Sequence, residues 1–169
     1  MRWPDLSEAL GSIRWAVIGA VATRMYMPER ATHDLDVAVW AEDAGEACRS
    51  LEQAGWRREG ELAVGGTCWL APSGQQVDIV EFSQPWAAQA LEAAQGNRDP
   101  QGLPILPLPY LVLSKLLAGR VQDLADLSRM LGQADEPQLA AVRSAVNRYA
   151  PADADDVEAL IELGRRELQ

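Results

Sequence analysis

Apolar positions follow two regimes along the chain. Up to Phe82 they fall in short runs bounded by turn signals, and from Leu108 onward they recur at helical spacing to the end. Pro4 to Ser7 carries helix-start chemistry, and Leu6, Ala9, Leu10 and Ile13 share one stripe, which predicts a short first helix. Trp15 to Ile18 then reads as a buried strand. Gly19 breaks it, and Ala20 to Tyr26 reads as a short helix stopped by Pro28. Asp34 to Trp40 is a second strand. Glu42 to Ala54 is an amphipathic helix with Ala44, Ala47, Cys48 and Leu51 on one face, closed by Gly55. Glu61 to Ala71 and Gln75 to Phe82 read as two further strands around a Pro72-Ser73-Gly74 turn.

Pro85 to Ala94 predicts a helix with Pro in its first turn. Gly96 to Pro109 is a Pro- and Gly-rich connector with room for a short edge strand near Ile105. In the helical half, Leu113, Leu116, Leu117, Leu124, Leu127 and Leu131 form one stripe with a break near Gly119. Leu139, Val142 and Val146 mark another helix, and Val157, Leu160, Ile161 and Leu163 the last. The sum is an α+β chain: a mixed sheet of about four or five strands packed with helices, followed by a helical C-terminal half. The expected division is a core over 1–103 and a helical region over 104–169.

At 169 residues the chain can bury one sizeable core with a helical extension. A formal net charge of −10 and a pI near 4.5 argue against binding a long nucleic acid through a basic surface. Cys48 and Cys68 are too few for a disulfide framework or a zinc site and read as buried thiols. No apolar run has the length of a membrane span, and no leader pattern opens the chain, so the expectation is a cytoplasmic protein without a membrane partner.

Candidate chemistry concentrates around the second strand. Side chains alternate along a strand, so Asp34 and Asp36 share a face while Leu35 and Val37 fill the other. Two like charges so placed favour a hard cation, Mg²⁺ or Mn²⁺, between them. Asp78, between Val77 and Ile79, is a carboxylate where an apolar residue would suit its neighbours better. The strand-to-helix turn at Gly19-Ala20 offers backbone amides to phosphate. Arg30, Thr32 and Arg24 lie close enough in sequence to contribute to the same anion. His33, the only histidine, is expected to be exposed. Arg120 and Asp123 read as an i,i+3 pair on a solvated helix face.

Ile18-Gly19-Ala20 ahead of Asp34-Leu35-Asp36, with Asp78 on a later strand, resembles the nucleotidyltransferase superfamily that includes DNA polymerase β and bacterial toxin–antitoxin nucleotidyltransferases. The run from Lys115 through Arg120 and Asp123 to Asp126 resembles small bacterial members. The resemblance implies transfer of a nucleoside monophosphate from an NTP to a hydroxyl of a tRNA, a protein or a small molecule, possible membership of a toxin–antitoxin pair, and a cognate partner protein. It implies Asp34, Asp36 and Asp78 as catalytic and metal-binding residues. It implies Gly19, Ala20, Arg24, Arg30, Thr32 and Lys115 as the nucleotide contacts. One departure stands out: Ala20 occupies a turn position where the family has Gly or Ser, which keeps the amide but offers no hydroxyl. A nucleotidyltransferase-fold module that binds without turnover is the alternative this raises.

Overall fold

Alternation along Leu35-Asp36-Val37-Ala38-Val39-Trp40 becomes strand β2 (Leu35–Trp40), the segment around which the sheet is organised. In the computed structural model, which describes residues 2–28 and 32–167, β2 is flanked by β1 (Trp15–Val17) and β5 (Gln76–Phe82). Strands β4 (Gly66–Leu70) and β3 (Arg57–Glu61) complete the order β1-β2-β5-β4-β3. The β2–β5 pair is parallel and the others are antiparallel. Contacts divide the chain into two units, Met1–Val21 with Ala31–Leu106 and Ala22–Arg30 with Pro107–Gln169.

In the first unit the sheet has two unlike faces. Leu35, Val37, Thr67, Trp69, Val77 and Ile79 lie on one, all buried. Helix α3 (Ala44–Gln53) covers this side, with Ala44, Ala47 and Leu51 in the core and Cys48 Sγ 3.9 Å from Thr67 Oγ1. Asp36, Cys68, Leu70, Asp78 and Val80 lie on the other face and are only half-buried. Helices α1 (Ser7–Leu10), α2 (Gly19–Thr23) and α4 (Ala87–Ala94) match expected positions, each shorter than the sequence pattern. The connector is ordered by buried Asp99, whose Oδ1 accepts from the amides of Gln101 and Leu103 at 2.9 Å each. Ile105 makes only an isolated parallel bridge to Val17, not a strand.

One expected strand is divided. Glu61 to Ala71 turns through residues 62–65, where Leu62 N donates to Gly66 O at 2.9 Å, and only Gly66–Leu70 continues as β4. The residues before the turn form β3, which has no apolar alternation because it is the edge of the sheet. It carries Arg57 paired with Glu59 at 2.6 Å and Arg58 paired with Glu61, a charged rim of the kind that protects an edge.

The second unit is built from α5 (Leu108–Ala118), α6 (Val121–Gln133), α7 (Glu136–Tyr149) and α8 (Ala154–Glu167). Gly119 ends α5 in the left-handed conformation at φ 62°, its amide bonded to Lys115 O. This break resets the helical phase, so the expected single leucine stripe does not form. Leu113, Leu127 and Leu131 are buried, whereas Leu117 is 67% exposed and Leu124 43%. In α8, Gly164 rather than Leu163 faces inward, and a Cβ there would stand 2.9 Å from Gly132 Cα on α6. Helix α7 opens with a capping box between Asp135 and Gln138. Among the described residues no helix is long and apolar enough to cross a membrane.

Candidate functional site

Register brings the carboxylates together. Asp36 on β2 and Asp78 on β5 are Cα partners across the parallel pair, so their side chains leave the same half-open face side by side. Cys68 on β4 is the Cα partner of Asp78 on its other side. Asp34 lies just before β2, exposed, on the Asp36 side of the alternation. Thr32 Oγ1 reaches the Asp34 carbonyl at 3.4 Å, which ties the approach segment to the strand entry.

Gly19 follows β1 with φ at +61°, and a Cβ built there would stand 2.8 Å from Asp36 Cγ and nearer still to Oδ2. Only a glycine lets the turn approach this carboxylate. Ile18 N donates to Asp36 O at 2.9 Å and fixes the turn against β2. Ala20, the next residue, is buried. Asp78 Oδ1 is buried and has no hydrogen-bond partner among the described residues, an unusual state for a carboxylate oxygen.

The Cys68 thiol reports the field on this face. Its pKa is pushed up to about 11, first by burial, then by a hydrogen bond to Asp78 and by the charges of Asp78, Glu59 and Asp34. Each of these influences disfavours a second negative charge. Cys68 and Cys48 are both half-buried free thiols, less enclosed than the sequence suggests.

The donors on this face are hard carboxylate oxygens, the type that suits Mg²⁺ or Mn²⁺, and the unsatisfied Asp78 Oδ1 fits a cation or a proton donor. As placed, the described residues contain no group of three or more His, Cys, Asp or Glu side chains able to hold a metal ion. The site therefore offers the right chemistry in an unconverged arrangement.

Arg24 belongs to the second unit and lines a cavity there. Arg30 lies outside the described residues. His33 is exposed, as expected. Lys115, the only lysine in the chain, is 4% exposed within the second unit. Its Nζ donates to Asp126 Oδ2 at 2.7 Å and to Asp123 Oδ1 at 3.1 Å. Arg120 Nε donates to Asp123 Oδ2 at 2.7 Å and Gln122 Nε2 to Asp126 Oδ1 at 3.0 Å. The solvated pair expected from Arg120 and Asp123 is thus the rim of a buried network, because Asp123 points inward while Arg120 stays exposed. Burial alone would raise the Asp123 pKa, but hydrogen bonds from Arg120 and Lys115 outweigh it and hold the carboxyl below its ordinary value.

The sequence pattern marks Cys68 only as a buried thiol and does not mark Glu59. A signal for Cys68 existed: the Pro72-Ser73-Gly74 turn pairs Leu70 with Gln76, and two steps back along each strand that register sets Cys68 opposite Asp78.

The fold has solved counterparts. The solution structure of the antibiotic-resistance factor ANT(2'')-Ia is 18% identical, with a TM-score of 0.50, over 92% of this chain and 84% of that one. A crystal structure of ANT(2'')-Ia in complex with adenylyl-2''-tobramycin is 17% identical with a TM-score of 0.46, covering 97% of each chain. A CCA-adding enzyme in complex with CTP is 11% identical with a TM-score of 0.42, over 85% of this chain and 41% of that one. No protein-family model and no curated protein sequence matches the chain. The likeness to the first is one of fold: the chain shares with it a mixed five-strand sheet with packed helices and a helical C-terminal half.

Proposed function

We propose that the chain is a divalent-metal-dependent nucleotidyltransferase that moves a nucleoside monophosphate from an NTP to a hydroxyl and releases pyrophosphate. The observation that carries this reading is the pairing of Asp36 with Asp78 on the half-open face, with Gly19 pressed against the Asp36 carboxylate. Asp34, Asp36 and Asp78 are the residues that would hold Mg²⁺ or Mn²⁺. When bound, such an ion would neutralise triphosphate charge and lower the pKa of the attacking hydroxyl. Asp78 Oδ1, buried and unpaired, is the atom best suited to accept the proton of that hydroxyl. Gly19 and Ala20 present their turn to the phosphates. The nucleotide roles of Arg24, Arg30 and Thr32 rest on their nearness in sequence to the Gly19 turn and β2, and that of Lys115 on the resemblance alone, as does any place in a toxin–antitoxin pair or a cognate partner protein.

The acceptor favoured by electrostatics is a small, amine-bearing molecule with hydroxyl groups. The chain carries a net charge of −10, and Asp34, Asp78 and Glu59 all make the face around Cys68 more negative. A tRNA end would bring its own negative charge into that field. The name of the fold neighbour as an antibiotic-resistance factor points in the same direction.

Isothermal titration of each of the four NTPs with Mg²⁺ or Mn²⁺, run alongside Asp36→Asn, tests the reading. The expected result is metal-dependent binding of at least one NTP that is lost in the variant. Failure of every NTP to bind would favour the alternative module that has kept the fold without turnover, for which Ala20 is the one specific argument.

A further inference from the structure

One row of register partners crosses the sheet through the carboxylate pair. Asp36 on β2 stands opposite Asp78 on β5, Asp78 opposite Cys68 on β4, and Cys68 opposite Gly60 on β3. Side chains in such a row leave the same face, with roughly 5 Å between the Cβ atoms of neighbours. Asp78 therefore stands between unlike groups, a carboxylate on one side and a thiol on the other. Gly60 brings no side chain to the row, and a Cβ there would meet nothing within 4 Å, so β3 sets no competing partner opposite the thiol.

The two oxygens of Asp78 are in different states. The Cys68 thiol donates to this carboxylate, while Oδ1 is buried and has no hydrogen-bond partner among the described residues, so the thiol bond falls on Oδ2. Cysteine is a weak donor, but at neutral pH it carries its proton even at its ordinary pKa. The terminal torsion of an aspartate is broad, and a carboxylate free at both oxygens samples many directions. Held at one oxygen, it presents the other in a single direction. Metal-ligating carboxylates are commonly supported by such a neighbouring hydrogen bond, and losing the support costs about 10–100-fold in metal affinity.

We propose that Cys68 is a positioning residue for Asp78: its thiol holds the carboxylate by Oδ2, so that Oδ1 stays unpaired and fixed in direction beside Asp36, where a divalent cation binds. In its ligand the inference rests on the transferase reading; the thiol–carboxylate bond does not.

Two measurements on the full chain test it, both in a Cys48→Ser background so that Cys68 is the only thiol. In the metal-free protein the infrared S–H stretch, which falls in a window clear of other protein bands, should lie below that of a free thiol. It should rise in Asp78→Asn, because an amide oxygen accepts more weakly than a carboxylate. Mn²⁺ alone, without nucleotide, is then titrated and the free ion followed by electron paramagnetic resonance. Cys68→Ala should weaken Mn²⁺ binding about tenfold, and Cys68→Ser, which restores a donor, should recover most of it, with thermal melting confirming that both variants fold. A purely structural role for the side chain would not separate Ser from Ala in metal affinity. An S–H band at the free-thiol position that Asp78→Asn leaves unmoved overturns the proposal, as does a Cys68→Ala variant that binds Mn²⁺ as tightly as its parent or a Cys68→Ser variant that binds no better than Cys68→Ala. Failure of the parent to bind Mn²⁺, with the band shifted as expected, would remove the metal reading and leave Cys68 as the group that holds Asp78.

Discussion

Replacing Lys115 by Met measures how strongly charge holds the helical unit together. The substitution keeps the volume and removes the only ammonium reaching Asp126, which is fully buried, and Asp123, which is 3% exposed. Breaking a buried ion pair by deleting one partner costs about 3–5 kcal/mol, because the other charge is left without compensation. For a chain of this size each kcal/mol moves the melting temperature by about 2–4 °C, so Lys115→Met should melt roughly 6–20 °C lower. Aromatic placement makes the assay selective. All six tryptophans lie between Trp3 and Trp86 in the first unit, and all three tyrosines, Tyr26, Tyr110 and Tyr149, belong to the second. Circular dichroism at 222 nm weights the helices, while tryptophan emission follows the sheet. Lys115→Met combined with Asp126→Met should recover much of the loss, since no charge at 126 is then stranded. The network also sets a pH dependence. The folded Asp123 pKa lies below its ordinary 3.8, so its stabilising contribution is complete above that value and disappears as pH falls through the lower folded value. A shift of less than about 3 °C in Lys115→Met would refute the reasoning, because it would mean that water already solvates the carboxylates.

Two further outcomes follow from the site. Gly19→Ala forces a Cβ toward the Asp36 carboxylate at a positive φ, so it should cost about 1–3 kcal/mol by thermal melting and weaken metal–NTP binding; full retention of both would mean that the turn does not bear on Asp36. In a Cys48→Ser background, Cys68 should alkylate slowly at pH 8 because its pKa is near 11, and Asp78→Asn should speed the reaction. Equal rates would show that Asp78 does not govern the field at that thiol.

Much of this arrangement is legible in the sequence where burial on one side imposes a period. Leu35, Val37 and Val39 announce β2 because one face of the sheet is dry, and Asp36 stands out against that pattern. The Pro72-Ser73-Gly74 turn likewise gives β4 and β5 their register. What the sequence hides is decided by long-range contacts. Nothing local tells Asp36 that its neighbour is Asp78, since a parallel pairing depends on the crossover between the strands rather than on a turn. Strand β3 escapes notice because an edge strand in water needs no apolar alternation. The Lys115 network is hidden for the opposite reason: its residues read as solvated helix, and only the bend at Gly119 brings α6 back so that Asp123 and Asp126 meet the lysine inside.

The two margins of the sheet have a consequence for assembly. A strand with unused amides is a template on which another chain can add, and the same geometry seeds fibrils when it is flat and apolar. Here Val17 on β1 is occupied by the connector, donating to Pro104 O at 2.7 Å and accepting from Leu106 N at 3.0 Å. At the opposite margin an incoming strand would meet two arginines and two glutamates on a strand whose register shifts between Arg58 and Gly60. Growth of the sheet from copy to copy is blocked at one rim by occupancy and discouraged at the other by charge and irregularity. The half-open carboxylate face can therefore stay accessible to small molecules without making the protein prone to polymerise.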